Sequence, residues 1–433
     1  MAEQAARDVY RTILVIGGGI AGVTAAIEAA EAGYDAVIIE KNPYLGGRVA
    51  QLYKYFPKLC PPYCGLEINF RRIKSNPQVR FYTMAEVERI EGKPGNFDVS
   101  VVLHPRYVND RCTACNACVD VCPAERPNAF NFGMGKTKAI YLPHEMAFPM
   151  KYAIDDSACA LSECGKCVEA CEYDAIDLTM QRRTLSLKVG AVIIATGWKP
   201  YDASRIDNLG FGKYADVITN VMMERLAAPN GPTKGRILRP SNGEEVQSAA
   251  FVQCAGSRDE NHLGYCSGIC CLASLKEATY LKERNPSAKS HIFYIDLRTP
   301  GTYRFFTEKV LSDGSITVQK GKVAKITEDS VSKKLVVEAE DILSAQKVRL
   351  AVDLVVLAAG MVPSLADSAI AGPLSFDRDQ FLVTKEEGQG IFAAGCAKGP
   401  FDVATSVQDA TAAAAMAIEA LHTASRGTAI NGE

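Results

Sequence analysis

The sequence predicts an α/β fold with two βαβ units and a cysteine-rich segment inserted between them. In the first unit a strand, a helix and a second strand follow one another at Thr12–Ile16, Ala21–Ala32 and Ala36–Ile39. The second unit repeats this order at Val246–Cys254, Leu272–Glu283 and His291–Asp296. Strands that alternate with helices in this way form parallel sheets whose faces are covered by helices.

The remaining elements complete this arrangement. A buried strand at Val189–Gly197 follows the cysteine-rich segment, another is expected at Asp353–Gly360, and an alanine-rich helix covers Ala404–Thr423. A small antiparallel patch is predicted from three short β-rich runs, at Val323–Ile326, Leu335–Ala339 and Val348–Leu350. The chain thus returns to parallel α/β structure after each interruption.

Composition excludes several classes of protein. The 433 residues carry a formal net charge of −2, which argues against nucleic-acid binding through a basic surface. No run approaches the roughly 20 apolar residues of a spanning helix, and no signal-peptide pattern is present. We therefore expect an intracellular protein without direct membrane insertion. Its 15 cysteines then indicate metal or redox chemistry rather than disulfides.

A glycine pattern in the first βαβ unit predicts a dinucleotide site. Gly17, Gly19 and Gly22 form G-x-G-x-x-G between strand and helix, which brings a pyrophosphate to the helix N-terminus. Glu40 ends the second strand, where an acid binds the ribose. The following LGGRV segment resembles the second diphosphate contact of two-dinucleotide-binding-domain flavoproteins, which favours FAD over NAD.

Two further segments resemble the same flavoproteins. They are Ala195–Gly197, after a buried strand, and GIFAAG at Gly390–Gly395, before the last helix. An Asp that bonds the ribityl chain normally follows the second segment, and Cys396 replaces it here. The predicted FAD-binding residues are Gly17, Gly19, Ile20, Ala21, Gly22, Glu40, Lys41, Gly46, Gly47, Arg48, Val87, Ala195, Thr196, Gly197, Gly395 and Cys396.

The inserted segment predicts two [4Fe-4S] clusters. Its first run is C-x2-C-x2-C-x3-C-P, the spacing of two-cluster ferredoxins, in which the fourth cysteine serves the other cluster. Crossed ligation then predicts one cluster on Cys112, Cys115, Cys118 and Cys171. The second cluster would take Cys159, Cys164, Cys167 and Cys122. The alternative is zinc, although zinc cysteines usually sit on separated knuckles.

The second βαβ unit lacks a glycine loop. Its strand instead runs into Ala-Gly-Ser, and Cys254, Cys266, Cys270 and Cys271 occupy the position of the pyrophosphate. We expect a third [4Fe-4S] site there and no nicotinamide cofactor; the alternative is a set of buried packing cysteines. For Cys60 and Cys64 a dithiol, half of a shared cluster and a structural role all remain open.

These assignments divide the chain into five predicted segments. The parts of the FAD-binding domain are residues 10–105, 184–240 and 351–424. A ferredoxin-like domain is inserted at 106–183, and a degenerate nucleotide-binding-like domain with its own cysteines occupies 241–350. The predicted fold class is a two-dinucleotide-binding-domain flavoprotein, similar to thioredoxin and disulfide reductases, with an inserted two-cluster ferredoxin domain.

Several longer motifs resemble the A-type subunits of heterodisulfide reductase. They are LGGRV, GMGKTKAIYLP, ITNVMMERL, QCAGSRDE with YCSGICCLASLKEA, YIDLRTPG and FAAGCAKGPFDVATSV. The resemblance implies that the Cys254 group ligates a [4Fe-4S] cluster near the flavin. It also implies catalytic roles beside the isoalloxazine for Glu224, a proton relay, and Lys276, which stabilises an anionic reduced flavin. The alternative for both residues is a helix-surface charge.

The longer members of this family carry extra domains at both ends, and two expected departures from them indicate that this chain resembles a shorter form. We expect no extra cluster domain before residue 12 and no ferredoxin domain after the last helix. The short form looks like the A-type subunit of the quinone-interacting membrane-bound oxidoreductase of sulfate-reducing bacteria. This resemblance implies peripheral attachment to the inner face of the cytoplasmic membrane through partner subunits. The implied partners are adenylylsulfate (APS) reductase, a second heterodisulfide reductase A-like flavoprotein and a haem-containing membrane subunit.

The resemblance implies an FAD and iron-sulfur electron-transfer subunit that links the menaquinone pool to APS reductase in dissimilatory sulfate reduction. Three alternatives to this function remain. A flavin-based electron-bifurcating heterodisulfide reductase A-like subunit would share every motif. A scaffold with inert FAD and clusters is a second, and an NAD(P)H-dependent disulfide reductase a third. The third alternative predicts a second glycine loop, which the sequence does not contain.

Overall fold

A computed structural model describes residues 9–367, 370–384 and 390–430. The chain divides into two compact units, which are described separately below. Unit 1 combines Met1–Ala50, Tyr63–Trp198 and Pro363–Glu433, and unit 2 combines Gln51–Pro62 with Lys199–Val362. Among the described residues, no helix has both the length and the apolarity needed to cross a membrane.

The strands of the described residues, in chain order, are β1 (Thr12–Ile16), β2 (Asp35–Glu40), β3 (Val79–Thr83), β4 (Ala85–Lys93), β5 (Asn96–Leu103), β6 (Glu125–Pro127), β7 (Lys136–Lys138), β8 (Ile140–Tyr141), β9 (Ala153–Ile154), β10 (Arg183–Val189), β11 (Ala191–Ile194), β12 (Trp198–Pro200), β13 (Val217–Thr219), β14 (Ser248–Ala255), β15 (Lys289–Tyr294), β16 (Ile316–Lys320), β17 (Val323–Glu328), β18 (Leu335–Asp341), β19 (Gln346–Val352), β20 (Leu354–Ala359), β21 (Met361–Pro363) and β22 (Ile391–Ala393).

The α-helices of the same residues are α1 (Ile20–Glu31), α2 (Tyr63–Ser75), α3 (Ala117–Asp120), α4 (Lys166–Glu169), α5 (Asn220–Ala227), α6 (Cys270–Arg284), α7 (Tyr303–Leu311) and α8 (Val403–Ile430). Short 3₁₀ turns occur at Gly47–Gln51, Ala129–Asn131, Leu161–Glu163, Ala203–Arg205, Asp207–Leu209, Ser364–Asp367 and Gly395–Ala397.

Unit 1 is built on a five-stranded parallel sheet in the order β22-β11-β1-β2-β3. Side chains alternate between the two faces of a strand, so β1 supplies two apolar layers. Ile13 and Val15 pack in one core cluster with alanines of α1 and α8. Leu14 and Ile16 pack in a second cluster, with residues of the antiparallel sheet β10-β5-β4. The continuous apolar sequence of β1 follows from burial on both faces.

The cysteine-rich insert forms a small body of its own within unit 1. Two antiparallel strand pairs, β6-β7 and β8-β9, accompany the four-residue helices α3 and α4. Its apolar cluster contains Tyr107, Ile140 and Tyr152 together with cysteines of both runs. The core of the insert is therefore built around its cysteines.

Unit 2 contains a second five-stranded parallel sheet, in the order β13-β20-β14-β15-β16. The predicted antiparallel patch is observed as β17-β18-β19. The unit takes in residues 199–240 and 351–362, which the sequence led us to assign to the FAD-binding domain. Both ranges belong to unit 2 because β13, from the first range, and β20, from the second, pair with each other, and β20 also pairs with β14 of the same sheet.

Candidate functional site

The glycine loop of unit 1 has the geometry of a phosphate cradle. Gly17 has a φ of +107°, and a Cβ there would lie 2.3 Å from the carbonyl oxygen of Ala195. A Cβ on Gly22 would lie 1.8 Å from the carbonyl oxygen of Gly17, so only glycine lets α1 approach the loop. At Gly19 the nearest atom to a Cβ is Cα of Gly47, at 3.9 Å. This position keeps space for a pyrophosphate at the start of α1.

Glu40 faces the glycine loop from the end of β2. Its Oε2 accepts the backbone N–H of Gly18 at 2.6 Å. Its Oε1 accepts both the backbone N–H of Asn42, at 2.7 Å, and the Asn42 side-chain amide, at 2.6 Å. Burial raises the pKa of Glu40, while these hydrogen bonds oppose the rise. The sequence prediction missed Asn42, which looks like an ordinary turn residue until Glu40 is placed beside it.

The LGGRV segment lies against the same loop. The N–H of Gly46 donates to the carbonyl oxygen of Gly18 at 2.7 Å. Arg48 donates from Nε to the carbonyl oxygen of Trp198 at 3.2 Å, and its guanidinium carbon lies 5.3 Å from the centroid of the Phe132 ring. Burial lowers the pKa of Arg48. A half-buried cation next to the glycine loop suits an anionic diphosphate.

The predicted segment Ala195–Gly197 lies beside the glycine loop. The N–H of Gly17 donates to the carbonyl oxygen of Ile39, and the N–H of Ala195 donates to the carbonyl oxygen of Ile16, which precedes Gly17. The hydroxyl oxygen of Thr196 is buried and has no hydrogen-bond partner within the described residues. A bound flavin would supply a polar partner at such an atom. The donors and the open space in this unit therefore fit FAD.

Cys396 follows β22 in a buried position. Its Sγ donates to the carbonyl oxygen of Phe401 at 3.3 Å and lies 3.7 Å from the Ser406 hydroxyl. Burial raises the pKa of its thiol. The N–H of Gly395 donates to Asp409 Oδ2 at 2.8 Å. Asp409, which the sequence prediction missed, thus holds this loop from α8.

The remaining predicted FAD residues differ in their surroundings. Ile20 and Ala21 open α1, directly after the glycine loop. Lys41 follows Glu40 and is exposed. Val87 lies on β4 with its side chain in an apolar cluster. The side chain of Val87 is therefore occupied by apolar packing, and a polar contact with a ligand would have to come from its backbone.

Four cysteines of the insert line one cavity. Cys112, Cys115 and Cys118 surround it from the first run, and Cys171 comes from the second. Burial, together with the nearby Cys112 and Cys115 thiols, raises the pKa of the Cys118 thiol to about 12. The structure thus brings together the four thiols of one crossed set, a donor set that suits a [4Fe-4S] cluster.

The other crossed set surrounds Cys167. Burial raises the pKa of its thiol to about 11, and the charges of Cys159, Cys122 and Cys164 act in the same direction. Left-handed backbone at Asn116 and Gly165 precedes α3 and α4, the short helices that carry Cys118 and Cys167. The two runs therefore turn in the same way, and the fourth cysteine of each run, Cys122 or Cys171, lies near cysteines of the other run.

Unit 2 brings together the remaining predicted quartet at the junction of β14 and α6. Burial raises the pKa of Cys254, Cys270 and Cys271, and thiols of the same group are among the further causes for each. Cys266 acts on all three thiols. Cys254 itself has a left-handed backbone, with a φ of 57°. Four converging thiols at one loop fit a four-iron cluster better than chance packing.

A cluster of four irons spreads its ligands more widely than a single ion does. Across the described ranges, no three His, Cys, Asp or Glu side chains lie close enough together to hold one metal ion. Cys60 and Cys64 are both exposed, and they fall in different units.

Glu224 on α5 and Lys276 on α6 form a buried ion pair in unit 2. Lys276 Nζ lies 2.8 Å from Glu224 Oε1, and each side chain is 3% exposed. Glu224 Oε2 also accepts the N–H of Tyr53 at 2.8 Å and the hydroxyl of Tyr280 at 3.2 Å. Lys276 Nζ donates to the carbonyl oxygen of Lys54 at 2.8 Å. Neither residue is therefore a helix-surface charge.

Comparison with known proteins supports these assignments. Residues 12–60 match the FAD-dependent oxidoreductase family, and residues 105–125 match the 4Fe-4S binding domain. One relative, an iron-sulfur A-type subunit of the CoB–CoM heterodisulfide reductase of Methanopyrus kandleri, is 40% identical over 427 residues, which are 96% of this chain and 65% of that protein. The chain is a homologue of the heterodisulfide reductase A-type subunits.

Other methanogen relatives agree. The iron-sulfur A-type subunit of the CoB–CoM heterodisulfide reductase of Methanocaldococcus jannaschii is 39% identical over 424 residues, covering 94% of this chain and 64% of that protein. The A-type subunit of the H₂:CoB-CoM heterodisulfide,ferredoxin reductase of Methanothermobacter marburgensis is 35% identical over 418 residues, covering 93% and 63%. The chain thus spans less than two thirds of the length of these relatives. These homologues confirm the predicted resemblance to the heterodisulfide reductase family.

Solved structures confirm the predicted fold class. The thioredoxin reductase of T. acidophilum aligns with a TM-score of 0.52 at 14% identity, over 94% of this chain and 98% of that one. A bacillithiol disulfide reductase of Bacillus cereus aligns with a TM-score of 0.51 at 14% identity, over 96% and 99%. The chain thus combines a segment that matches FAD-dependent oxidoreductases and a 4Fe-4S binding segment with a disulfide-reductase-like fold.

Proposed function

We propose that the chain is an electron-transfer component of a heterodisulfide reductase-like complex that carries one FAD and three [4Fe-4S] clusters. The observation that carries this proposal is the junction of β14 and α6. The parallel sheet of unit 2 resembles a nucleotide-binding sheet, but four cysteines stand where the second glycine loop would be. Electrons then arrive and leave through clusters and partner proteins, without a nicotinamide cofactor.

The ligands divide into three sets. Cys112, Cys115, Cys118 and Cys171 hold the first cluster, and Cys159, Cys164, Cys167 and Cys122 hold the second. Cys254, Cys266, Cys270 and Cys271 hold the third. FAD supplies the exchange between paired electrons and single ones when it is bound. The predicted FAD-binding, ferredoxin-like and degenerate nucleotide-binding-like segments stay part of this proposal, with residues 199–240 and 351–362 grouped in unit 2.

Two buried residues take the catalytic roles implied by the family. The ammonium group of Lys276 stabilises negative charge on its reaction partner, and the Glu224 carboxylate holds or passes a proton. The 2.8 Å ion pair supports these roles, because it keeps a fixed cation and a carboxylate together in a dry environment. The hydroxyl of Tyr280 and the N–H of Tyr53 orient that carboxylate.

Within this function we favour flavin-based electron bifurcation, because the name of one relative, a heterodisulfide,ferredoxin reductase, gives two electron acceptors. Bifurcation requires that the two one-electron potentials of FAD be crossed, so that the second electron leaves at a lower potential than the first. A potentiometric titration of the holoprotein, followed by absorbance and EPR, measures both potentials. Crossed potentials are expected. A normal order of the two potentials contradicts bifurcation.

The second candidate links the menaquinone pool to APS reductase at the inner face of the cytoplasmic membrane. The resemblance to the short family members favours it, and the spacing C-x3-C at Cys60 and Cys64 is a further departure from the longer members, with which we associate C-x-x-C. Its partners would be APS reductase, a second heterodisulfide reductase A-like flavoprotein and a haem-containing membrane subunit. Co-purification from native membranes tests this candidate: these three chains support it, and their absence contradicts it.

A further inference from the structure

The loop between β14 and α6 places a guanidinium beside the Cys254 group. Arg258 follows Cys254 by four residues, and its positive charge acts on the Cys254 thiol. Its Nη2 lies 2.9 Å from Asp296 Oδ2. Its Nη1 is buried and has no hydrogen-bond partner within the described residues. A buried donor without an acceptor is costly unless nearby negative charge offsets that cost.

The backbone holds Arg258 in place. Arg258 adopts a left-handed conformation, with a φ of 57°, and its N–H donates to the carbonyl oxygen of Tyr265 at 3.0 Å. The next N–H, from Asp259, donates to Leu263 at 3.0 Å, and Asp259 Oδ2 pairs with Lys322 at 2.9 Å. The guanidinium is thus fixed by its own loop and by Asp296, rather than free to turn into solvent.

The other charges near the quartet are few. Arg298, an exposed residue, acts on the Cys271 thiol through its backbone N–H and its charge. Asp296, which pairs with Arg258, also accepts a hydrogen bond from Cys271 Sγ on its carbonyl oxygen at 3.4 Å, so the ion pair lies directly beside the cysteine group. Glu277 lies two helical turns along α6 from Cys270, on which its charge acts. Arg258 is thus the cation that is held beside the Cys254 group both by the backbone of its own loop and by its ion pair with Asp296.

We propose that Arg258 is a positioning residue that keeps the reduction potential of the Cys254-group cluster high. Each electron accepted by a cluster with four thiolates adds one negative charge. A fixed cation nearby stabilises the reduced state more than the oxidised state, most strongly where water is excluded. This inference rests on the proposed function, because it requires a cluster on Cys254, Cys266, Cys270 and Cys271.

The test is an EPR-monitored redox titration of the cluster-loaded full chain with three variants. Arg258→Gln removes the charge, Arg258→Lys retains it, and Arg304→Gln removes an exposed arginine of the same unit as a control. For Arg258→Gln we expect at least a tenfold fall in the equilibrium constant for reduction of this cluster, which equals 59 mV for one electron. The two clusters of the insert should keep their potentials.

Arg258→Lys should retain most of the potential, and Arg304→Gln all of it. An unchanged potential in a fully loaded Arg258→Gln protein overturns the proposal, as does a shift to higher potential. If Arg258→Gln loses iron, Arg258→Met at matched iron content replaces it and should show the same fall. A wild-type protein with no third EPR species would instead contradict the proposed function, so the two failures are distinguishable.

Discussion

Lys276 and Glu224 pair inside unit 2, with Nζ 2.8 Å from Oε1 and both side chains 3% exposed. The two residues lie 52 positions apart, on neighbouring helices α6 and α5. Water cannot screen this pair, so each charge depends on the other for its stability in the interior. The carboxylate has two further donors, from Tyr53 and Tyr280.

Lys276→Met should destabilise the protein by about 3–5 kcal/mol, because it leaves the Glu224 carboxylate buried without a cation. The double variant Lys276→Met with Glu224→Gln should lose less, since no uncompensated charge remains. Thermal unfolding of the two variants measures the difference. As a control, Lys282→Met breaks an exposed pair with Asp313 and should cost about 1 kcal/mol or less. Equal losses in single and double variants would contradict the account.

The carboxyl group of Glu277 is expected to make stability depend on pH. Glu277 is 1% exposed, and its pKa is raised well above its ordinary value by burial and by the charge of Glu224, while Lys276 opposes the rise. The folded protein therefore binds this proton more tightly than the unfolded chain. Its contribution to stability is complete below the unfolded pKa of about 4.3 and is lost as pH rises through the folded value.

Glu277→Gln cannot titrate, so it should remove this loss. The melting temperature of the wild type relative to Glu277→Gln should fall steadily as pH rises above the ordinary glutamate range. Glu308→Gln, which changes an exposed carboxylate of unit 2, is the control and should follow the wild type. Parallel pH profiles for wild type and Glu277→Gln would show that Glu277 ionises normally.

Replacing Glu40 should weaken FAD retention. Glu40 is buried and connects the glycine loop to Asn42 through hydrogen bonds of 2.6–2.7 Å. Glu40→Ala removes these bonds and the acid assigned to the ribose, so flavin occupancy after gel filtration should fall. Glu31→Gln alters an exposed acid of α1 and should keep full occupancy. Unchanged occupancy in Glu40→Ala would count against the assigned ribose contact.

Crossed ligation makes a specific prediction for the insert. Cys171 lines the cavity of Cys112, Cys115 and Cys118, so Cys171→Ala and Cys118→Ala should remove the same EPR signal. Cys122→Ala should instead remove the signal of the other cluster, which Cys167→Ala also removes. Loss of one signal by Cys171→Ala and Cys167→Ala together would indicate uncrossed ligation.

The glycine loop and the cysteine runs could be predicted because their function depends on spacing along the chain. Gly17, Gly22 and Glu40 meet within one βαβ unit, so local pattern places them correctly. The membership of unit 2 could not be predicted in this way. Residues 51–62 join it through contacts such as Tyr53 N–H to Glu224, 171 positions away, which no local periodicity encodes.

The same limit explains the residues that were missed. Asn42 and Asp409 look like ordinary turn and helix residues, and their roles appear only when Glu40 and Gly395 are placed beside them. Glu224 and Lys276 were singled out by the family resemblance alone, and their ion pair was not predicted, since charges on helices are usually exposed. Pairing between helices decides their burial, and the sequence of either helix does not show it.

The content of iron and flavin in the purified full chain tests the central claim most directly. One FAD and three [4Fe-4S] clusters require about twelve irons and one flavin per chain. About eight irons, with the Cys254 group intact as free thiols, would contradict a third cluster at the junction of β14 and α6.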